Sequence, residues 1–273
     1  MKAEGDTSPA DVIIVSDAGA LYRFQSEGFT QAVRSDALEA AIPAQLREKD
    51  GHWFGLAKRA RIIVYDPQLL PAEEVDTYAD LAEDRLTGEL CVRSSTNIYN
   101  LSLLGEFIDR NGSEAAEAWA RGVASNFARP PEGGDTAQIE AVAAGQCAAA
   151  LVNHYYWMRL ATGTTEERLT AAKTAVSFPD QKDAGTHINI TGAAVSSTSG
   201  SPELAVQFIE FLATREGQAM LTSETKEYPI VAGAAYPEGL EMLPGFRQSD
   251  FPLADLGPNQ AEAQAIFDRA GWN

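Results

Sequence analysis

An α/β fold in two lobes is predicted by three observations. Short β-branched runs alternate with helix-length segments, the chain is long for one core, and its composition is that of a folded globular protein. At 273 residues the chain approaches the limit of a single hydrophobic core. Hydrophobic residues make up 45% and charged residues 22%, which excludes a disordered chain.

The elements follow in order. Asp11-Val12-Ile13-Ile14-Val15-Ser16 is too short for a helix and uniformly apolar at its centre, predicting a strand buried on both faces. Arg61 to Tyr65 reads the same way and is ended by Asp66-Pro67. After Leu90-Cys91-Val92, the polar turn Arg93-Ser94-Ser95-Thr96-Asn97 opens a helix that runs to about Arg110, where Asn111-Gly112 stops it. Asp135 or Thr136 caps the next helix, and Gly145 closes it before a strand from Cys147 to Val152. Ser201-Pro202-Glu203 is a helix start, and Leu204, Phe208 and Phe211 then follow at helical spacing, predicting an apolar face. Strands alternating with helices predict mostly parallel sheets.

The formal net charge is −18, from 39 acidic against 21 basic side chains. Such a chain repels nucleic acid and anionic membrane, so neither is expected as a partner. No run approaches the roughly 20 apolar residues of a membrane span. Met1 to Asp6 is polar and carries no apolar signal region, which predicts a cytosolic chain or one that begins after a removed leader. Cys91 and Cys147 each lie beside a strand-like run. Two cysteines permit a disulfide in an oxidising compartment, or remain as two buried thiols.

In α/β folds ligands gather where strands end and helices begin. Three polar clusters occupy such points: Ser94 to Tyr99, Asn153 to Tyr156, and Gly185 to Gly192. The second contains the adjacent phenols Tyr155 and Tyr156, which serve either as packing or as hard oxygen donors. A phenol ionises near pH 10, so phenolates at neutral pH require a strong local positive charge such as a trivalent metal. Tyr99, just inside its helix, offers a third donor. Ser94 to Asn97 at a helix start suits an anion, and Arg59 or Arg61 offers a guanidinium clamp. His52, His154 and His187 read as structural, and Arg93 as solvated or salt-bridged. No phosphate loop, G-x-S-x-G elbow or H-E-x-x-H helix occurs, so an enzyme is the weaker class.

With these residues in view, the chain resembles the ferric-iron-binding substrate-binding proteins of bacterial ABC transporters. The resemblance runs nearly end to end, through Trp53-Phe54-Gly55-Leu56, Arg59-Ala60-Arg61, Arg93 to Asn100, Asn153 to Tyr156, Glu227-Tyr228-Pro229 and Ile266 to Gly271. It implies a two-lobed periplasmic binding protein type 2 fold closing on Fe3+. Residues 1–60 and 194–273 would form a first lobe, and residues 61–193 a second lobe carrying the tyrosines. The strands near Arg61 and Asn189 would be the crossings.

The resemblance further implies Tyr99, Tyr155 and Tyr156 as phenolate ligands. Arg61, with Ser94 and Asn97, would hold carbonate or another small anion. The partner would be an inner-membrane ABC permease, the location periplasmic and the role non-enzymatic. Family members carry a further strand–helix–strand before the segment resembling Lys2 to Gly5. Without it the first lobe is expected to be incomplete, its Asp11–Ser16 strand exposed and open to self-association. The alternatives are the same scaffold holding a phosphonate, polyamine or thiamine-like ligand, or a truncated metal-incompetent form.

Overall fold

The computed structural model describes residues 5–272. The chain begins with β1 (Val12–Ser16), α1 (Ala18–Ser26), β2 (Thr30–Gln31), α2 (Asp36–Ala41) and the long strand β3 (Phe54–Tyr65). The middle comprises β4 (Leu90–Cys91), α3 (Ile98–Asn111), α4 (Ser113–Ser125), α5 (Asp135–Ala143), β5 (Ala149–Asn153), α6 (His154–Thr162), α7 (Thr165–Ala171) and β6 (Ala175–Ser177). It ends with β7 (Ile188–Ser196), α8 (Pro202–Leu212), α9 (Arg215–Thr225), β8 (Tyr228–Pro229) and α10 (Gln260–Ala270).

Two compact units result. The first comprises Met1–Arg59, Asn189–Pro237 and Phe251–Pro258; the second comprises Ala60–Ile188, Glu238–Asp250 and Asn259–Asn273. Chain crossings therefore fall inside β3 and β7. The expected division into 1–60 with 194–273 against 61–193 is corrected at its second crossing, which falls between Ile188 and Asn189, and at the tail, which divides between the units. The reason is burial: Ala263, Ile266, Phe267 and Trp272 are fully enclosed in the second unit's core, beside Leu103, Leu104, Ala120 and Val123.

In the first unit, β1 and β2 pair antiparallel with β7, and the start of β3 pairs antiparallel with β8. In the second, the end of β3 pairs antiparallel with β5 and β6, while β4 and β5 are parallel. The sheets are thus mixed rather than mostly parallel, because the strands that pair with β3 and β7 run against them.

Two further expectations change. The Asp11 to Ser16 run is not buried on both faces: Ile13 is enclosed but Ile14 is 46% exposed, so β1 has one open side. On α8 the predicted apolar face of Leu204, Phe208 and Phe211 is exposed, and the helix buries Ala205 and Ile209 instead. Sequence spacing identifies an apolar stripe; tertiary contacts decide which stripe is covered.

Cys91 and Cys147 form a disulfide linking β4 to the approach of β5. That bond and the β4–β5 register, Cys91 opposite Ala150, fix the two strands whose ends lead into the polar clusters.

Candidate metal centre

All three tyrosines lie in the second unit, each at a helix start. Asn97 accepts a hydrogen bond from Tyr99 N at 3.1 Å and so caps α3, which places Tyr99 second in the helix. At the end of β5 the chain turns at Asn153 straight into α6, bringing Tyr155 and Tyr156 into its first turn. The Tyr155 hydroxyl donates to the Tyr99 hydroxyl at 3.2 Å. The rings of Tyr155 and Tyr156 lie 4.4 Å apart between centroids. Oxygens about 3 Å apart are neighbours in an octahedral shell with bonds of roughly 2 Å, so this pair can share one small cation. Both tyrosines sit in the first turn of a helix, where the N-terminal end of the helix dipole favours negative charge.

Guanidinium groups surround the phenols. Arg93 sits over the Tyr99 ring at 5.3 Å, and Arg61 at 5.9 Å. Arg159 sits over the Tyr155 and Tyr156 rings at 4.9 and 5.6 Å. Burial works against the charge of Arg93, but the Asp135 carboxylate beside it outweighs that and raises its pKa. In a chain of net charge −18 this is a local positive field, suited to phenolates and anions. Among the described residues, no group of three or more His, Cys, Asp or Glu side chains could hold a metal.

Arg61, expected as the anion clamp, is 1% exposed. Its Nη1 donates to Asp135 at 3.0 Å and to Asn153 at 3.2 Å, and its Nη2 donates to Asn100 at 2.7 Å. Arg61 Nε and Asn153 Nδ2 are buried with no acceptor among the described residues. Arg93 is half-buried and Arg159 exposed. Ser94 is half-buried, and its hydroxyl lies 3.1 Å from that of Thr96. The Asn97 carbonyl is spent on the helix cap.

The cluster at Gly185 to Gly192 does not join the phenols. His187 pairs with the Glu106 carboxylate at 2.5 Å, and Thr186 donates to the Pro179 carbonyl at 2.7 Å. Burial alone would raise the Glu106 pKa, but bonds from His187, Ser249 and Arg110 bring it down to about 2. His154 is structural as expected, its Nδ1 accepting from Ala60 N at 3.1 Å.

Residues 7–244 match the bacterial extracellular solute-binding protein family. The chain belongs to this family. Iron uptake protein A1 of Synechocystis sp. is 41% identical over 273 residues, covering 100% of this chain and 76% of that protein. A solved Trichodesmium FutA structure in complex with iron and citrate is 42% identical with a TM-score of 0.95, covering 100% of this chain and 86% of the other. The ferric binding protein from Campylobacter jejuni is 35% identical with a TM-score of 0.94, covering 99% and 86%. The mixed α/β fold is therefore that of the two-lobed ferric-binding proteins, as the sequence resemblance implies.

In this solute-binding protein the residue that sequence reasoning misplaced is Asp135. Its expected role was a helix cap, yet α5 has no side-chain cap, and the carboxylate turns to Arg61, Arg93 and Asn153 instead. Asn100 was also overlooked: it accepts from Arg61 and donates to the carbonyls of Arg93 and Ser94, both at 3.1 Å. Neither had a local signal, since both roles depend on partners distant in sequence.

Proposed function

We propose that this chain captures Fe3+ for an ABC uptake transporter, binding it through the phenolates of Tyr99, Tyr155 and Tyr156. The observation that carries the reading is the 3.2 Å approach of the Tyr99 and Tyr155 hydroxyls, with the Tyr156 ring 4.4 Å from that of Tyr155. Three phenolates balance the charge of a ferric ion and leave coordination positions open. Hard oxygen donors also disfavour softer metals. Citrate, carbonate or a similar small anion fills the remaining positions, held by the half-buried guanidinium of Arg93 and by Ser94. Arg61 contributes its Nε and a buried positive charge.

Relatives named for iron uptake and ferric iron binding, and a neighbouring structure holding iron and citrate, support this reading. Those relatives are transport proteins, which supports a binding role rather than turnover. The disulfide suits an oxidising compartment, in keeping with a periplasmic protein that delivers its cargo to an inner-membrane permease.

The test is an absorbance spectrum after adding ferric citrate. Phenolate-to-iron charge transfer gives an intense visible band in the unaltered protein. That band fades or shifts with Tyr99→Phe and disappears with Tyr155→Phe combined with Tyr156→Phe. An uncoloured protein with no iron by elemental analysis rejects the assignment.

A further inference from the structure

We propose that Asp135 is a positioning residue of the phenol site, a buried carboxylate that sets Arg93 over the Tyr99 ring and ties together the starts of α3 and α6. The inference rests on the iron-binding reading above and extends it to a residue outside the donor set.

Asp135 is fully enclosed. One carboxylate oxygen accepts from the backbone of Asn153 at 2.7 Å and from Arg61 at 3.0 Å; the other accepts from Arg93 at 3.3 Å. Each partner leads to a donor tyrosine. Asn153 is the residue from which α6 springs, two positions before Tyr155. Arg61 reaches Asn100, the neighbour of Tyr99, at 2.7 Å. Arg93 lies over the Tyr99 ring at 5.3 Å. One carboxylate thus connects both tyrosine-bearing helices through at most one intermediate side chain.

The charge count explains why a carboxylate is needed and why one suffices. Arg61 and Arg93 bring two positive charges, Asp135 one negative. The positive charge that remains, together with that of Arg159 over the Tyr155 and Tyr156 rings, is left to the phenols and any companion anion. An uncharged residue would leave two guanidinium groups repelling each other in a partly desolvated place, and Arg93 would then move toward solvent. The helix also forgoes a cap here, as Asp135 opens α5 with no side-chain cap bond. The side chain serves the site instead of its own helix.

The experiment is a double-mutant cycle on the intact chain, with Asp135→Asn, Asp135→Glu, Arg93→Gln and each double variant. Three quantities are measured: Fe3+ affinity by citrate competition, the wavelength of the visible band, and the near-ultraviolet circular dichroism of the metal-free protein. We expect Asp135→Asn and Arg93→Gln each to weaken Fe3+ binding about tenfold or more and to displace the band. Both should also alter the metal-free tyrosine signal, and the double variant should be little worse than either single one. Asp135→Glu keeps the charge but moves it by one methylene, and should displace the band in a stable protein; it decides the matter if Asp135→Asn does not fold. An Asp135→Glu protein with unaltered band and tyrosine signal overturns the proposal, as do fully additive effects in the cycle. Absence of any iron band in the unaltered protein rejects the iron-binding reading, whereas the metal-free tyrosine signal still tests whether Asp135 positions the phenols.

Discussion

Asp180 shows how one carboxylate can tilt the stability of the second unit. It adopts φ 59°, a left-handed conformation that aspartate and asparagine tolerate better than most residues. Burial is the main influence on its carboxyl, and Asp183, Glu106 and Asp80 add to it; against a hydrogen bond from Tyr78 N, together they raise its pKa to about 6. A carboxyl whose folded pKa lies above its unfolded value favours the folded state at low pH, fully below about 4. That contribution is lost as pH rises through about 6. Asp180→Asn keeps the acceptor for Tyr78 and the backbone geometry while removing the charge. Its melting temperature is therefore expected to exceed that of the unaltered protein at pH 8 and to match it near pH 4. Calorimetry at the two pH values checks this, and an advantage that does not grow with pH contradicts it.

Helix α6 depends on a neighbour from far along the chain. Its inner face, Tyr155, Trp157, Met158 and Leu160, is buried. Gly239 lies against it with φ 90°, and a Cβ there would stand 2.3 Å from Thr162 Cγ2 and 2.9 Å from Met158 Cε. Gly239→Ala therefore combines an unfavourable backbone conformation with a steric overlap, a cost of about 1–3 kcal/mol. We expect a melting temperature lower by several degrees and, because the helix must shift, weaker iron binding with a displaced visible band. Unaltered binding in the destabilised variant would show that α6 does not transmit the strain to its tyrosines. The starts and stops of α3 were legible from Asn97 and from Asn111-Gly112, because caps are local chemistry. The start of α5 was legible too, but the use of Asp135 was not. Capping competes with any distant partner, and here two guanidinium groups and a backbone N–H win.

Across the molecule, the second unit is closed by features that lie far apart in sequence. The Cys91–Cys147 bond spans a separation of 56 residues. In the chain-entropy account, closing a loop of this length stabilises the folded state by about 4 kcal/mol. Reduction with dithiothreitol, or Cys91→Ser with Cys147→Ser, is expected to lower the unfolding free energy by an amount of that order. Denaturant unfolding with and without reductant measures it, and coincident curves would show that the bond adds nothing. Trp272, the last described residue, is fully enclosed and packs edge-on to Phe127 and tilted against Phe267 at centroid distances of 5.2 and 4.6 Å. No local pattern could assign that docking to the second unit. An amphipathic helix states that it has a face to bury but not which core receives it.

The amino-acid order by itself determined three phenols at two helix starts, a pair of cysteines beside two strands, and the capping residue that places Tyr99. These are properties of residue type and short spacing, and they survive any arrangement of the remainder. Only the tertiary structure decided which arginine is enclosed and which is presented, because Arg61 meets Asp135 across 74 positions and Asn153 across 92. Burial and charge pairing belong to neighbours in space, and the list of those neighbours exists only once the chain has folded.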